Sequence, residues 1–258
     1  MHTVRFTISR VADNQWHAIE NDLVVGRGHA TRRLDGRTFL SIDTWRDAVF
    51  HRLAAAMVAD QPHDQVQYTV VDETDRDLLT NWVLAGFATW RREAEFAVPT
   101  GPSRATVRSG PSGVVITTAD EAPLRELDRA IRGEVEAAAG WHTMPPEVLP
   151  WQGGTRPIDP SQYTIAVRDG RYVGLVRVAT MTRRPRIGLV AVLAAEQRHG
   201  IGRALLDHVL DGLHGCGFEA ATAEVDETNT AALALFEGLG ARRTGTTLEL
   251  IRRPGKAV

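Results

Sequence analysis

The sequence predicts an α/β protein made of two tandem copies, each a mixed sheet carrying helices. Three observations predict it. First, the chain repeats itself. Val71-Asp72-Glu73-Thr74, followed by the apolar stretch Leu78 to Phe87, aligns without a gap with Val225-Asp226-Glu227-Thr228, followed by Ala232 to Ala241. The offset there is 154 residues (225 − 71), whereas Ala18 to Gly26 matches Ala166 to Gly174 at an offset of 148 (166 − 18). Self-similarity at a fixed spacing proposes like-built units. Second, strand-period and helix-period segments alternate in the same order in both copies. Third, Pro99 to Gly113 is rich in Pro, Gly and Ser, lacks an apolar period and reads as a linker. The expected boundaries are therefore 1–98, a linker at 99–113, and 114–258.

In the first copy, Arg5 to Ser9 opens as a strand, and Trp16 to Glu20 with Leu23 to Leu34 form a hairpin. Thr38 to Ile42 is a strand, after which Asp43 or Thr44 is expected to cap a helix reaching about Ala59. Val66 to Val71 is strand, Asp75 to Ala85 helix, and Trp90 to Val98 strand. In the second copy, Val114 to Thr117 is a strand, and Asp120 can cap a helix through Ala139 that carries Leu124, Leu127, Ile131 and Val135 at helical spacing. Gly140 to Pro146 breaks it. Tyr163 to Val167 and Arg171 to Thr180 flank Asp169-Gly170, a strong hairpin signal. Arg186 to Leu193 is nearly all apolar and reads as a strand buried on both faces. Helix from about Gly200 to Gly215, strand from Phe218 to Val225, helix from Thr228 to Leu239 and strand from Thr244 to Ile251 complete the copy.

Composition narrows the function classes. Hydrophobic residues make up 43% and charged residues 24% of 258, ordinary for a soluble globular protein. A net charge of −2 supplies no field to hold nucleic acid or an anionic membrane. The longest apolar run, Ile187 to Ala195, is too short to span a bilayer, and the N-terminus lacks a signal pattern. A cytoplasmic protein is expected, a monomeric pseudo-dimer or a homodimer. Cys216 is expected to be a buried, inert thiol.

The offset grows by six residues between the two matches. In that interval the second copy holds Gln197, Arg198, His199, Gly200, Ile201 and Gly202, with Arg203 following. Glycines at the mouth of a helix let successive N–H groups turn toward one point, where the helix adds partial positive charge. That is an anion site suited to phosphate or pyrophosphate. A Walker loop is excluded because no Gly-Lys-Ser/Thr follows, and a Rossmann fingerprint because the third glycine is absent.

With Val190-Ala191-Val192 before this loop and Asn229, Ala232, Leu235, Phe236, Glu237, Leu239 and Gly240 after it, residues 114–251 resemble the GNAT superfamily of acyl-CoA-dependent N-acetyltransferases. The resemblance implies two tandem GNAT-type mixed-sheet domains, with acetyl-CoA as co-substrate and no metal. It implies that the backbone of Arg198 to Arg203 holds the CoA pyrophosphate. It further implies that Val190 to Val192 pairs with the pantetheine arm, and that a backbone N–H near Val192 polarises the thioester carbonyl. Asn229 is placed beside the pantetheine and Phe236 at the thiol end. Many members carry Tyr where this chain has Phe236, so a phenolic acid for the departing sulfur is missing.

Glu224 is the candidate base, on the strand five residues before Asn229, where members acetylating protein N-termini carry a catalytic Glu. Asp226 shares its strand face and is the alternative. Its repeat counterpart, Asp72, argues for a structural part, whereas Glu224 is matched by Val70. Glu134, Trp141 and His142, with Asp226, are the candidate acceptor contacts for a small-molecule amine; Glu136, Trp151 and Tyr163 lie in the same region. In the first copy Asp75 and Trp82 stand for Asn229 and Phe236, and no CoA binding is expected there. The competing readings are another acyltransferase, such as a mycothiol-synthase-like enzyme, and a non-catalytic acyl-CoA sensor.

Overall fold

The structure, a computed structural model, describes residues 6–33, 36–62, 64–101, 111–138, 158–179 and 184–254. The chain forms two compact units. The described residues of the first run up to Arg92 and resume at Thr246; those of the second run from Glu93 to Gly245.

The first unit begins with β1 (Thr7–Ala12), β2 (Gln15–Glu20), β3 (Leu23–Arg32) and β4 (Thr38–Asp43), each antiparallel to the next. Asn21 and Asp22 both take positive φ, 49° and 62°, the backbone of a tight primed hairpin turn. α1 (Asp47–Ala59) then crosses over so that β5 (Gln67–Asp72) lies parallel to β4. α2 (Arg76–Leu84) is capped by Asp75, whose side chain accepts from the Leu78 N–H. The core joins Trp16, Val49, Phe50, Leu53, Met57 and Trp82. Phe50 and Phe87 meet Trp82 edge to face, with centroids 5.0 and 4.8 Å away.

In the second unit β7 (Val114–Thr118) is followed by α3 (Glu121–Ala138), then by β8 (Tyr163–Arg168) and β9 (Arg171–Ala179). β10 (Arg186–Val192) leads through α4 (Ile201–Gly215) to β11 (Ala220–Asp226) and α5 (Thr230–Gly238). The order β11-β10-β9-β8-β7 is mixed, with β10 parallel to β11 and the rest antiparallel. Each face has its own core. Leu205, Leu206 and Val209 of α4 pack with Ala221, Ala223 and Val225 on one face. Leu124, Leu127 and Ile131 of α3 pack with Ile165 and Leu175 on the other. The element order matches the sequence reading, and the protein has a mixed α/β architecture.

The closing strands are exchanged. β6 (Ala88–Pro99), read from the sequence as the last strand of the first copy, pairs antiparallel with β11 from Ala220↔Pro99 to Asp226↔Glu93. The chain's last strand, β12 (Arg242–Arg252), pairs with β5 from Thr247↔Asp72 to Arg252↔Gln67. Two local expectations also fail. α1 is preceded by Arg46 without a side-chain cap, because Asp43 still belongs to β4 and the Thr44 hydroxyl donates back to the Val25 carbonyl at 3.0 Å. Cys216 is exposed rather than buried, since it ends α4 just past the apolar stripe.

Candidate active site

The site begins where two parallel strands separate. β10 pairs with β11 only at Arg186↔Thr222 and Ile187↔Ala223, yet it follows β9 as far as Val192↔Gly174. A register shift between Ile187 and Leu189 marks the bend. The Leu193 N–H donates to the Val173 carbonyl at 2.9 Å, so Leu193 directs its backbone groups at β9. Backbone direction alternates along a strand. The N–H groups of Val192 and Val190 therefore point the other way, into the gap opened against β11. Gly174 permits the close packing beneath: a Cβ there would lie 3.2 Å from the Ala191 carbonyl oxygen, Leu205 Cδ1 and Val192 Cγ2.

A short 3₁₀ turn, Ala194–Glu196, carries the chain from β10 to α4. The Gln197 amide donates to the Val192 carbonyl at 3.1 Å, and His199 Nδ1 lies 3.3 Å from the Glu196 carbonyl oxygen. Glu196 also pairs with Arg168 at the end of β8. Arg198 adopts φ 67° and Gly200 φ 80°, so the loop doubles back twice before Ile201. A left-handed arginine is uncommon and marks a loop held by its surroundings. No side chain caps α4. Its first turn thus presents N–H groups and partial positive charge at the mouth of the gap, and it contains no acid. Gly202 faces that gap: a Cβ would sit 3.6 Å from Leu235, 3.8 Å from Val192 and 4.0 Å from Val190.

The Arg203 side chain reaches the Gly238 carbonyl at 2.9 Å and Asp207 at 3.5 Å, joining α4 to α5. Burial pushes the Asp207 carboxyl above its usual range; Arg203 opposes this and Asp211 adds to it.

The remaining candidates fall into distinct roles. Glu224 is on the α3 face of β11, where its carboxylate takes two hydrogen bonds from Arg186, 2.8 Å from Nη2 and 3.4 Å from Nε. Asp226 is buried, and its Oδ1 accepts from the Thr228 N–H and hydroxyl, closing a turn. Asp72 makes the same turn with Thr74, so the repeat extends to individual hydrogen bonds. Asn229 caps α5 through Oδ1, which accepts from the Ala232 N–H at 3.0 Å, as Asp75 caps α2. Its amide nitrogen keeps its donors. Phe236 is buried and stacks on Phe96, centroids 6.1 Å apart. Glu134 accepts from the Ala194 N–H at 2.9 Å, tying α3 to the turn before the loop. Trp141 and His142 lie outside the described residues. Sequence reasoning passed over Arg186 and Gly174. The signal for Arg186 was a lone charge opening an otherwise apolar strand, and that for Gly174 its match with Gly26 in the repeat.

The corresponding place in the first unit differs. A Cβ on Gly26 would lie 3.0 Å from Leu53 Cδ1, as one on Gly174 would lie 3.2 Å from Leu205 Cδ1. Leu53 and Leu205 are thus equivalent, and three residues earlier in each helix stand Phe50 and Gly202. Phe50 is 2% exposed, so a ring occupies the position that is open in the second unit. Asp47 adds a carboxylate to the first turn of α1. From Gly174 to Leu205 is 31 residues (205 − 174), against 27 from Gly26 to Leu53 (53 − 26). Four of the six extra residues therefore fall between Gly174 and Leu205 and two after Leu205, rather than all six falling at 197–202. A surface hollow of about 600 Å³, lined by His51, Ala54, Val58, Leu84 and Arg252, lies in the first unit, far along the sequence from these groups.

Splayed parallel strands with an uncapped, glycine-bearing helix at their mouth define an acyl-CoA N-acyltransferase fold. Residues 127–241 match the acetyltransferase (GNAT) family. Across 51 residues the chain is 47% identical to the [ribosomal protein bS18]-alanine N-acetyltransferase of Escherichia coli K12, covering 20% of this chain and 34% of that enzyme. It is 33% identical over 84 residues to the mycothiol acetyltransferase of Streptomyces coelicolor, covering 32% of this chain and 27% of that one. The matches thus span about a third of the length of these curated relatives. In fold, it is similar to a GCN5-related N-acetyltransferase from Sphaerobacter thermophilus, with TM-score 0.70 and 18% identity over 97% of this chain and 84% of that one. A tandem GNAT protein from the clavulanic acid biosynthesis pathway gives TM-score 0.61 at 18% identity, over 95% and 83%. Among the described residues no helix is long and apolar enough to cross a membrane.

Proposed function

We propose that the chain is an acetyl-CoA-dependent N-acetyltransferase with one active site, in the catalytic copy that the sequence bounds at 114–258, acting on a primary amine of a small molecule. The observation that carries this reading is the opened β10–β11 gap, with the N–H groups of Val190 and Val192 turned into it and the uncapped start of α4 beside it. The loop from Gln197 to Gly202 holds the diphosphate by backbone N–H groups and the helix field. The pantetheine arm extends β10 as an added strand, with the Asn229 amide beside it. The Val192 N–H donates to the thioester oxygen as negative charge develops there.

Glu224 takes the proton from the acceptor ammonium. The amine nitrogen then attacks the carbonyl carbon and the new C–N bond forms; the nitrogen gives its second proton to solvent, and the C–S bond breaks as the tetrahedral intermediate collapses. Phe236 has no hydroxyl and is buried, so the departing thiolate takes its proton from solvent. Asp226 serves the turn that aims Glu224 and Asn229 rather than the chemistry. The first copy holds no CoA, because Phe50 fills the slot and Asp47 repels phosphate. The buried Phe236 and the pairing of Glu224 with Arg186 favour one rival, a non-catalytic acyl-CoA sensor. Thiol release from acetyl-CoA across a panel of amines separates the two: an enzyme releases thiol with some amine, whereas binding of CoA with no release from any amine would leave the sensor standing.

A further inference from the structure

The hollow of the first unit, about 600 Å³, has a filled counterpart in the second unit, and the repeat identifies it residue by residue. Leu53 corresponds to Leu205, and Asp72 and Trp82 to Asp226 and Phe236. Thr247 pairs with Asp72 as Glu93 pairs with Asp226, so Arg252 stands where Val98 stands, five residues further along each strand. By the same registers Ala54 answers to Leu206, Val58 to Leu210 and Ala85 to Leu239. In the second unit those places are core: Leu206 and Val98 are fully buried, Leu210 nearly so, and Leu239 packs against them. In the first unit all three leucines are cut back, and the fourth place carries a guanidinium. The mouth differs as well. Arg203 donates to the Gly238 carbonyl and joins α4 to α5, whereas their counterparts, His51 and Leu84, line an opening between α1 and α2. The His51 ring makes no hydrogen bond among the described residues; its ring contact is with Phe50, 5.9 Å between centroids.

We propose that this hollow is a binding site for a small apolar carboxylic acid, an acidic head on a short aliphatic or single-ring body. Strand alternation sets Arg252 on the α1 face of the sheet, since Leu248 and Leu250, four and two residues earlier, belong to the core there. Its Nε is 3.5 Å from where a Cβ on Gly86 would be, so the guanidinium stays against the wall rather than reaching out to solvent. Among the described residues it makes no hydrogen bond, ion pair or ring contact. The acids at the two ends of α1 are engaged elsewhere: Asp47 accepts from the Asn81 amide at 3.0 Å and Asp60 from the Trp16 indole at 2.7 Å. A half-buried guanidinium without an acid calls for one from outside, and its planar fork matches a carboxylate. The walls choose the body. Ala54, Val58 and Ala85 offer hydrocarbon where the second unit is packed solid, and the volume falls in the range of small-molecule pockets. The carboxylate therefore sits on Arg252 and the body lies over the two alanines, with the His51 ring as a further polar group at the rim. An amine of the same shape meets a like charge, and a neutral amide leaves the guanidinium unmatched.

The test titrates the purified full-length chain by calorimetry with hexanoate and benzoate, and with the amide and the amine of each. At least one acid should bind saturably at a single site, about tenfold or more tighter than its amide, and the amines should not bind. Arg252→Gln should weaken the acid by about tenfold or more, and Arg252→Lys should keep part of the affinity. A double variant, Ala54→Leu with Ala85→Leu, restores the second unit's side chains to the hollow. It should lose acid binding while melting at or above the parent, because these side chains already fit the same scaffold in the other copy. Neither acid binding saturably up to about 10 mM would overturn the proposal. So would an amide or amine that binds as well as its acid, or a filled variant that binds the acid as the parent does. Should Arg252→Gln melt early, the acid-to-amide ratio on the unaltered chain and the filled variant decide the matter.

Discussion

Gly202 lets folding and ligand binding be pulled apart in one position. It is in the first turn of α4 with ordinary helical φ, and a methyl there meets only van der Waals neighbours at 3.6 to 4.0 Å. Gly202→Ala should therefore raise stability by about 0.5–1 kcal/mol through reduced backbone freedom. That corresponds to roughly 2 °C in Tm for a protein of this size. CoA affinity should stay within about threefold, since the methyl lines the gap without crossing it. Gly202→Glu should leave Tm equal or higher, because an acid in the first turn is worth about 0.3–1 kcal/mol to the helix. It also sends a carboxylate toward the place assigned to the diphosphate. Two unit charges about 4 Å apart repel by roughly 4 kcal/mol at an effective dielectric near 20, and after screening a loss of at least about 100-fold in CoA affinity is expected. Thermal melting and titration calorimetry with CoA measure the two effects on the same samples. A Gly202→Glu variant that binds CoA within twofold of the parent would falsify the assignment of the loop.

Other outcomes follow from named contacts. Glu224→Gln should lower kcat by about 100-fold while CoA titrates as before; unchanged turnover would remove Glu224 as the base. Phe50→Ala should cost about 3–5 kcal/mol in denaturant unfolding, because the ring is 2% exposed and meets Trp82; a cost under 1 kcal/mol would show the slot is not filled as described. The Asp207 carboxyl is raised above its ordinary value, so the folded state binds its proton more tightly than the unfolded chain. Its contribution is complete below pH about 4 and is lost as pH rises through the folded value. Melting curves from pH 7 to pH 4 should then favour the parent over Asp207→Asn progressively toward acid, and a gap that moves the other way contradicts the sign. Asp72 behaves oppositely: Thr74 hydrogen bonds hold its carboxyl below the usual range, so its support is present at neutral pH and fades below about pH 4.

Most of the fold was legible because each segment announces its period locally. The Asp169-Gly170 turn, the four-residue apolar spacing from Ile201 to Leu213 and the repeated Val-Asp-Glu-Thr run each specify an element without reference to the rest. The exchange of β6 and β12 was not legible. An alternating strand satisfies any sheet edge with an apolar face, so its sequence names the pattern and not the partner. The glycine-bearing loop before α4 could be read because glycine spacing is itself a local signal. Glu224 could be placed on a face by alternation, but its partner Arg186 comes from a strand 38 residues away and only the parallel register brings the two together. Cys216 misled because the helix carrying the apolar stripe ends at that residue, and burial stops with it.

One helix position sets the two copies apart. A residue three before the leucine that packs on Gly26 or Gly174 faces the space beside β4 or β10. With phenylalanine there, as at Phe50, the space becomes core and the ring's burial stabilises the unit by several kcal/mol, about what a Phe→Ala change removes. With glycine there, as at Gly202, that stabilisation is forgone and the space stays open beside exposed N–H groups. Each choice brings companions that suit it. The filled copy has four fewer residues between the glycine and the leucine that packs on it, and an acid, Asp47, in the first turn; the open copy has neither feature. Reverting Phe50 to glycine alone should therefore yield a weaker unit and no CoA site, since Asp47 and the short loop still oppose the phosphate. A Phe50→Gly variant that bound a second equivalent of CoA would show that the ring alone had closed the site.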